Sequence, residues 1–497
     1  MRRHFVNIIL VIMCMMMSGL AEVSAQVERP KLVVGLVVDQ MRWDYLYYYY
    51  DDYCQGGLRR IVDEGYSFEN NLINYIPTVT AIGHASVYTG TTPAMHGICG
   101  NDFRIDGQKV YCCFDPAVRS VGSASKEGQM SPRLMLSTTI GDELKIATDF
   151  KARVFGVAFK DRAAILPAGH SADGAYWWDT SAGHFVTSTF YMDKLPQWVE
   201  EFNNTHQFTP EEYIGDKEVS VTNTFQMAEA LIDNEQLGRD DITDLLTVSI
   251  SSTDVIGHAF GTRGPENKSV YMRLDQDLKH FLDKLDREIG RDNYLLFLTA
   301  DHGAAHNYNL MQSYRIPAGG WEGWKTVKTV NEYLRQACSV SSNLLLDVNS
   351  CRYYLDHDKI HAEGLKLDDV KQTLIDYLRK NPDFEYVVDF EKVSGYSMPQ
   401  RLREMICNGY NPHRSGDVVV VMRPQVFIAK NSPDYKGTSH GAWNPYDSHI
   451  PFVLFGWKVK HGSTMTETHI TDIAPTICSM LHIQMPNACI GEAREMK

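Results

Sequence analysis

Six side chains in this sequence, Asp39, Asp254, His258, Asp301, His302 and His440, are oxygen and nitrogen donors of the kind that hold Zn²⁺. Taken singly, each has an ordinary explanation. Asp39 and the Asp301-His302 pair can be cap or turn residues. Asp254 and His258, four apart, can be neighbours on a helix surface, and His440 sits in a plain Thr-Ser-His-Gly. Taken together, they can build two metal sites with open positions. Two cations ~3.5–4 Å apart stabilise both the attacking and the leaving oxygen of an in-line displacement. Such a displacement needs a nucleophile, and Thr80 is placed to be one. Pro77 and the β-branched Thr78-Val79 favour an extended approach, after which small and apolar residues follow at helical spacing through Tyr88. Thr80 therefore falls where a helix begins. A hydroxyl there can serve as a cap, but free backbone N–H groups and the helix dipole also draw an anion such as phosphate to that point. An unaided Thr hydroxyl is a poor nucleophile at neutral pH, and coordination to a cation favours its alkoxide.

Positioning these groups falls to a set of short apolar runs. Residues 31–39 are nearly continuous in Val and Leu and too short for a typical helix, the pattern of a central parallel strand covered on both faces. Residues 153–159, 245–250 and 294–299 repeat it, and 450–455 adds another strand. Polar residues follow the first four at once: Asp39, then Lys160-Asp161-Arg162, then 251–258, then Asp301-His302. Helical patterns at 58–64, 271–289 and 470–481 alternate with the strands. The alternation predicts an α/β fold, a doubly wound, mostly parallel central sheet flanked by helices. In such sheets the ligand crevice lies beyond the carboxyl ends of the strands, so the four polar followers share one mouth. Inserted accessory, cap-like segments are expected at about 102–150, 165–235 and 304–436, the last with a strand at 418–422. The Gly-rich loop 89–102 offers Asn101 to a pocket. Lys160 and Arg162, just past a strand, can supply charge to an anionic substrate, the guanidinium by a bidentate contact.

A chain of 497 residues has ample material for a large α/β domain with insertions. The formal net charge of −14 and the lack of a long basic run argue against nucleic acid as a main partner. An acidic protein that binds an anion needs local positive charge from metal ions or a few placed Lys and Arg. At the N-terminus, Arg2-Arg3, an apolar core at 8–17 and a small-residue Val23-Ser24-Ala25 read as a signal peptide cleaved near Ala25. The expected mature chain has no integral membrane segment and is periplasmic or secreted. Cleavage removes Cys14 and leaves nine cysteines. Export permits disulfides, the odd count leaves at least one free thiol, and no CxxC spacing suggests a sulfur-rich metal site.

The strand-Asp39, the Pro-Thr-x-Thr segment with its following Gly-His, Gly-Asn at 100–101, Ser-Thr-Asp-x-x-Gly-His at 252–258, Thr-Ala-Asp-His-Gly at 299–303 and Thr-Ser-His-Gly at 438–441 together resemble the alkaline phosphatase superfamily. Within it the chain is similar to the type I phosphodiesterase/nucleotide pyrophosphatase branch, and closest to its periplasmic, phosphate-irrepressible alkaline phosphatases with a Thr nucleophile. The resemblance runs over nearly the whole mature chain. It implies one zinc on Asp254, His258 and His440 and another on Asp39, Asp301 and His302 with Thr80 (other divalent metals not excluded). It implies Thr80 as nucleophile through a phospho-Thr80 intermediate, and Asn101 as donor to a phosphoryl oxygen. Lys160 and Arg162 match the pair that sets members selective for small-molecule phosphate monoesters apart from the diesterases.

Three rival readings follow from the same residues. A phosphodiesterase or nucleotide pyrophosphatase would use the same metal site, with Tyr176-Trp177-Trp178 among the aromatics available to hold a second ester substituent. A sulfatase would need a Cys or Ser in Cys/Ser-x-Pro-x-Arg, which Thr80 lacks. The third is a surface binding protein that keeps the fold without the chemistry.

Overall fold

The computed structural model describes residues 27–206 and 217–496. The expected signal peptide lies outside the described residues.

Strand β1 (Leu32–Val38) is LVVGLVV with every residue buried. β-Branched side chains covered on both faces are what a central strand requires. Helix α1 (Thr80–Thr89) follows an extended Val79 and is buried along its whole length. Strand β2 (Val154–Ala158) leads through Lys160 into helix α2 (Asp161–Ala168), and strand β3 (Gly174–Asp179) lies beside β2. Strand β4 (Asp244–Ile250) is followed by helix α3 (Ser252–Phe260), and strand β5 (Tyr294–Thr299) by Asp301-His302. These five strands run parallel in the order β5-β1-β4-β2-β3. Both flanks continue as shorter strands of mixed direction to complete a ten-stranded sheet.

Register fixes where the strands end. Val38 lies beside Ile250, Val37 beside Thr299, and Ser249 beside Ala158. The residues after each strand therefore open onto one edge of the sheet.

The expected insertion at 165–235 needs correction. Residues 174–188 form two strands of the central sheet, β3 parallel to β2 and His184–Ser188 antiparallel to β3. Tyr176, Trp177 and Trp178 are buried there as packing. Large apolar side chains on both faces of a strand mark a covered strand, and β3 is such a strand. Of 102–150, a hairpin (Asp102–Ile105 with Gln108–Tyr111) and the helix Ile140–Ala147 are the main elements.

Residues 304–436 carry a four-stranded antiparallel sheet, in which β6 (Arg352–Leu355) lies between Leu345–Asn349 and Val418–Met422. Its own core includes Val330, Leu334, Leu374, Val387 and Val420. The chain then returns to the central sheet as β7 (Phe452–Gly456), antiparallel to β5. Among the described residues no helix is long and apolar enough to cross a membrane. The nine cysteines among the described residues are free thiols, with no disulfide between any two of them.

Candidate active site

Thr80 is the first helical residue of α1, and Val79 rather than Thr80 is the N-cap, so the hydroxyl is not used as the cap. His84, one turn on, donates from Nδ1 to the Thr80 carbonyl at 2.9 Å, which leaves Nε2 to accept from the Ser249 hydroxyl at 2.8 Å. A side chain at Gly83 would collide with the backbone of Asp301, since its Cβ would lie 2.2 Å from that carbonyl oxygen. The helix start is thereby pressed onto the end of β5.

The six expected ligands converge. Asp254 Oδ1 lies 3.2 Å from His258 Nε2 and 3.7 Å from His440 Nε2. His302 Nε2 lies 3.3 Å from Asp301 Oδ2 and 3.6 Å from Asp39 Oδ1. The rings of His302 and His440 stack at 3.6 Å, so the two groups adjoin. Asp254 also comes within reach of Asp39 and His302, which places it between them.

All three imidazoles are oriented the same way. His258, His302 and His440 each donate from Nδ1 to a backbone carbonyl, of Thr438 (2.9 Å), Gly303 (3.0 Å) and Thr78 (2.7 Å). That fixes the tautomer and turns each Nε2 toward the carboxylates, as metal-binding histidines are held.

Whether a cation fits can be read from the unsatisfied atoms. Asp39 Oδ1, Asp301 Oδ2 and His302 Nε2 are buried and have no hydrogen-bond partner among the described residues. Burial pushes the His302 pKa down, which favours a neutral ring with a lone pair on Nε2. Burial and neighbouring His302 push His440 well down too. The nearest donor to this cluster, His84 Nδ1, lies 3.4 Å from Asp301 Oδ2 and is already bonded to the Thr80 carbonyl, and three acceptors so placed are an arrangement that a divalent cation resolves and that is otherwise costly. The donor set, carboxylate and imidazole without thiolate, suits zinc or a harder divalent ion.

Lys160 is the N-cap residue of α2. Its Nζ donates to Asp39 Oδ2 and to Asp254 Oδ2, each at 2.6 Å. Burial works against its charge, but Asp254 and Asp39 outweigh that and raise its pKa. Asp254 shows the converse: burial opposes ionisation, while His258 and Lys160 hold its carboxyl well below the usual range. Arg162, in the first turn of α2, donates from Nη1 to the Tyr111 hydroxyl at 3.0 Å, and Tyr111 donates to Asp161 at 2.5 Å. Arg162 Nε is buried without a partner. Asn101 Oδ1 accepts from the backbone N–H of Ala81 at 3.0 Å beside the start of α1, and its amide N–H donors have no partner among the described residues.

A family model described as type I phosphodiesterase/nucleotide pyrophosphatase matches residues 33–443. That span runs from before Asp39 to past His440. The chain belongs to this family. It is 42% identical to the alkaline phosphatase PafA of Elizabethkingia meningoseptica, covering 96% of this chain and 96% of that protein. It is 42% identical, over 98% of both chains, to a Myroides odoratus protein named calcium-transporting ATPase. The crystal structure of wild-type alkaline phosphatase PafA superposes with a TM-score of 0.90 at 41% identity, covering 94% of this chain and 98% of that one.

Within this phosphodiesterase/pyrophosphatase-family site, several supporting residues escape a sequence reading. Gln40 donates from its backbone N–H to Asp301 Oδ1 at 3.1 Å and from Nε2 to Asp254 Oδ1 at 2.6 Å. Its φ of 63° is left-handed, so the residue turns sharply after β1. Ser249 and Tyr111 also act here through bonds between distant segments. Adjacency to Asp39 was the only signal for Gln40, and nothing local marked the other two.

Proposed function

We propose that this protein is a two-zinc alkaline phosphatase that hydrolyses small-molecule phosphate monoesters through a phospho-Thr80 intermediate. The observation that carries the reading is the set of orphaned acceptors, Asp39 Oδ1, Asp301 Oδ2 and His302 Nε2, buried at the foot of the helix that begins with Thr80. Asp39, Asp301 and His302 with Thr80 would hold one cation, and Asp254, His258 and His440 the other. When bound, the two ions supply Lewis-acid charge that favours the threonine alkoxide and neutralises charge developing on the oxygens at phosphorus.

Thr80 Oγ1 attacks phosphorus as the bond to the leaving oxygen breaks, and water then hydrolyses the phospho-Thr80 ester. The α1 N-terminus presents backbone N–H groups to the phosphoryl oxygens. Asn101 adds a side-chain donor, its amide oriented by the bond from Ala81. His84, tied to Ser249 and to the Thr80 carbonyl, sets the first turn of the helix. Lys160 and the free Nε of Arg162 bring positive charge, and the monoester dianion carries more charge for them to meet than a diester does. Export after cleavage near Ala25 completes the proposal.

The family description favours a second reading, a phosphodiesterase or nucleotide pyrophosphatase on the same site. Burial of Tyr176, Trp177 and Trp178 in β3 removes one source of a pocket for a second ester group. Kinetics of Lys160→Ala and Arg162→Ala on an aryl phosphate and a bis-aryl phosphate separates the two. The monoesterase reading expects each change to lower kcat/KM for the monoester on the order of 10- to 100-fold, the range of a charged hydrogen bond, with little loss on the diester. Equal losses on both substrates would overturn it.

A further inference from the structure

Arg352 opens β6 in the accessory lobe and is almost fully buried, 1% exposed. Its three guanidinium nitrogens have no hydrogen-bond partner among the described residues. A buried, unpaired cation is expensive, so its placement needs a reason. The guanidinium packs closely against Gly100: a Cβ there would sit 3.0 Å from Arg352 Nη2 and 2.7 Å from the Asp102 carbonyl oxygen. Any side chain at 100 would push Arg352 and the Asn101 loop apart.

The same lobe grips that loop along its length. Asn349 Nδ2 donates to the Asp102 carbonyl at 2.8 Å, and Arg414 Nη1 to the Gly97 and Leu134 carbonyls, both at 2.7 Å. Asn411 Nδ2 donates to the Ala94 carbonyl at 3.2 Å, and the Ser415 hydroxyl to Cys99 Sγ at 3.4 Å. Loop 93–102 has little regular structure of its own beyond the turn Pro93–His96. Beside local bonds, from Ile98 N–H to His96 Nδ1 and from Cys112 N–H to the Asn101 carbonyl, much of its support therefore comes from a segment more than two hundred residues further on.

We propose that Arg352 is a positioning residue: acting through Gly100, it holds Asn101 where its free amide donors meet the phosphoryl group. This rests on the role given to Asn101 above.

A double-mutant cycle tests it, with kcat/KM for an aryl phosphate, the inhibition constant of inorganic phosphate and thermal stability measured on Arg352→Met, Arg352→Lys, Asn101→Ala and the Arg352→Met/Asn101→Ala double variant. Arg352→Met is expected to lower kcat/KM and weaken phosphate inhibition about tenfold with Asn101 present, and less than about twofold in the Asn101→Ala background, the non-additivity of coupled sites. Arg352→Lys should recover part of the loss by restoring the charge. Should Arg352→Met fail to fold, Asn349→Ala, which removes the bond to Asp102 and a local one from the Ser350 hydroxyl, should show the same coupling to Asn101. Equal losses in both backgrounds, or a fall in thermal stability with kcat/KM per folded enzyme unchanged, contradicts the proposal. If Asn101→Ala alone keeps full kcat/KM and phosphate affinity, the assignment of Asn101 is what fails, and the proposal falls with it.

Discussion

Gln40 ties the two halves of the site together, its backbone to Asp301 and its side chain to Asp254. Outer partners of this kind orient the carboxylates, and losing one typically costs about 10- to 100-fold in metal affinity or activity. Gln40→Ala keeps the backbone bond and deletes the other. Zinc affinity measured by competition with a chelator should fall on the order of tenfold or more for the weaker of two sites, with the other less affected. Unchanged affinity at both sites would show Asp254 to be held well enough by Lys160 alone. The expected ligands differ from Gln40 in having a mark in the sequence. Asp39, Asp254, His258, Asp301 and His302 follow apolar strands, so their convergence was implied by the parallel sheet. His440 has no such position and was found through its short motif. Gln40, Ser249 and Tyr111 contribute bonds between residues distant in sequence, which no local pattern encodes.

Strands and helices carry the next level. Four of the five parallel strands are legible because a strand buried on both faces must be an unbroken apolar run; β3 is the exception. Direction was less legible, since β7 (FVLFG) has the same buried pattern yet runs antiparallel. The stretch 165–235 reads as an insertion because the aromatics of β3 serve a pocket as readily as a core; in the structure β3 and His184–Ser188 are strands of the central sheet. One element boundary carries a pH dependence. Thr139 and Asp142 form a capping box on the helix Ile140–Ala147, and Asp142 Oδ2 also lies 3.3 Å from His170 Nδ1. His170 Nε2 sits 3.1 Å from the Met135 carbonyl, so both ring nitrogens face acceptors and the imidazolium is favoured. Burial opposes that charge, but the bond and charge of Asp142 outweigh it and raise the His170 pKa. A folded pKa above the unfolded value gives stability that is fully present below the unfolded pKa, about 6.5, and lost as pH rises through the folded value. His170→Gln should therefore lower the melting temperature most near about pH 5.5 and least near about pH 9. A gap that is constant across that range would show the bond to be uncharged.

At the scale of the whole molecule, the catalytic crevice belongs to the central sheet, whereas the lobe formed by residues 304–436 has its own strands and core. Composition and patterning marked that segment as accessory without showing what it leans on. Its contacts with the loop carrying Asn101 arise only in three dimensions, from Asn349, Arg352 and Arg414 meeting residues 97–102. In the proposed function these separate stretches of chain hold a threonine oxygen and two cations around a single phosphorus atom. The most direct measurement is an acid quench during turnover of an aryl phosphate with an isotopically labelled phosphoryl group, followed by peptide mass spectrometry. The account predicts label on Thr80 and none after Thr80→Ala. Label trapped on another residue, or full turnover by Thr80→Ala, would contradict it.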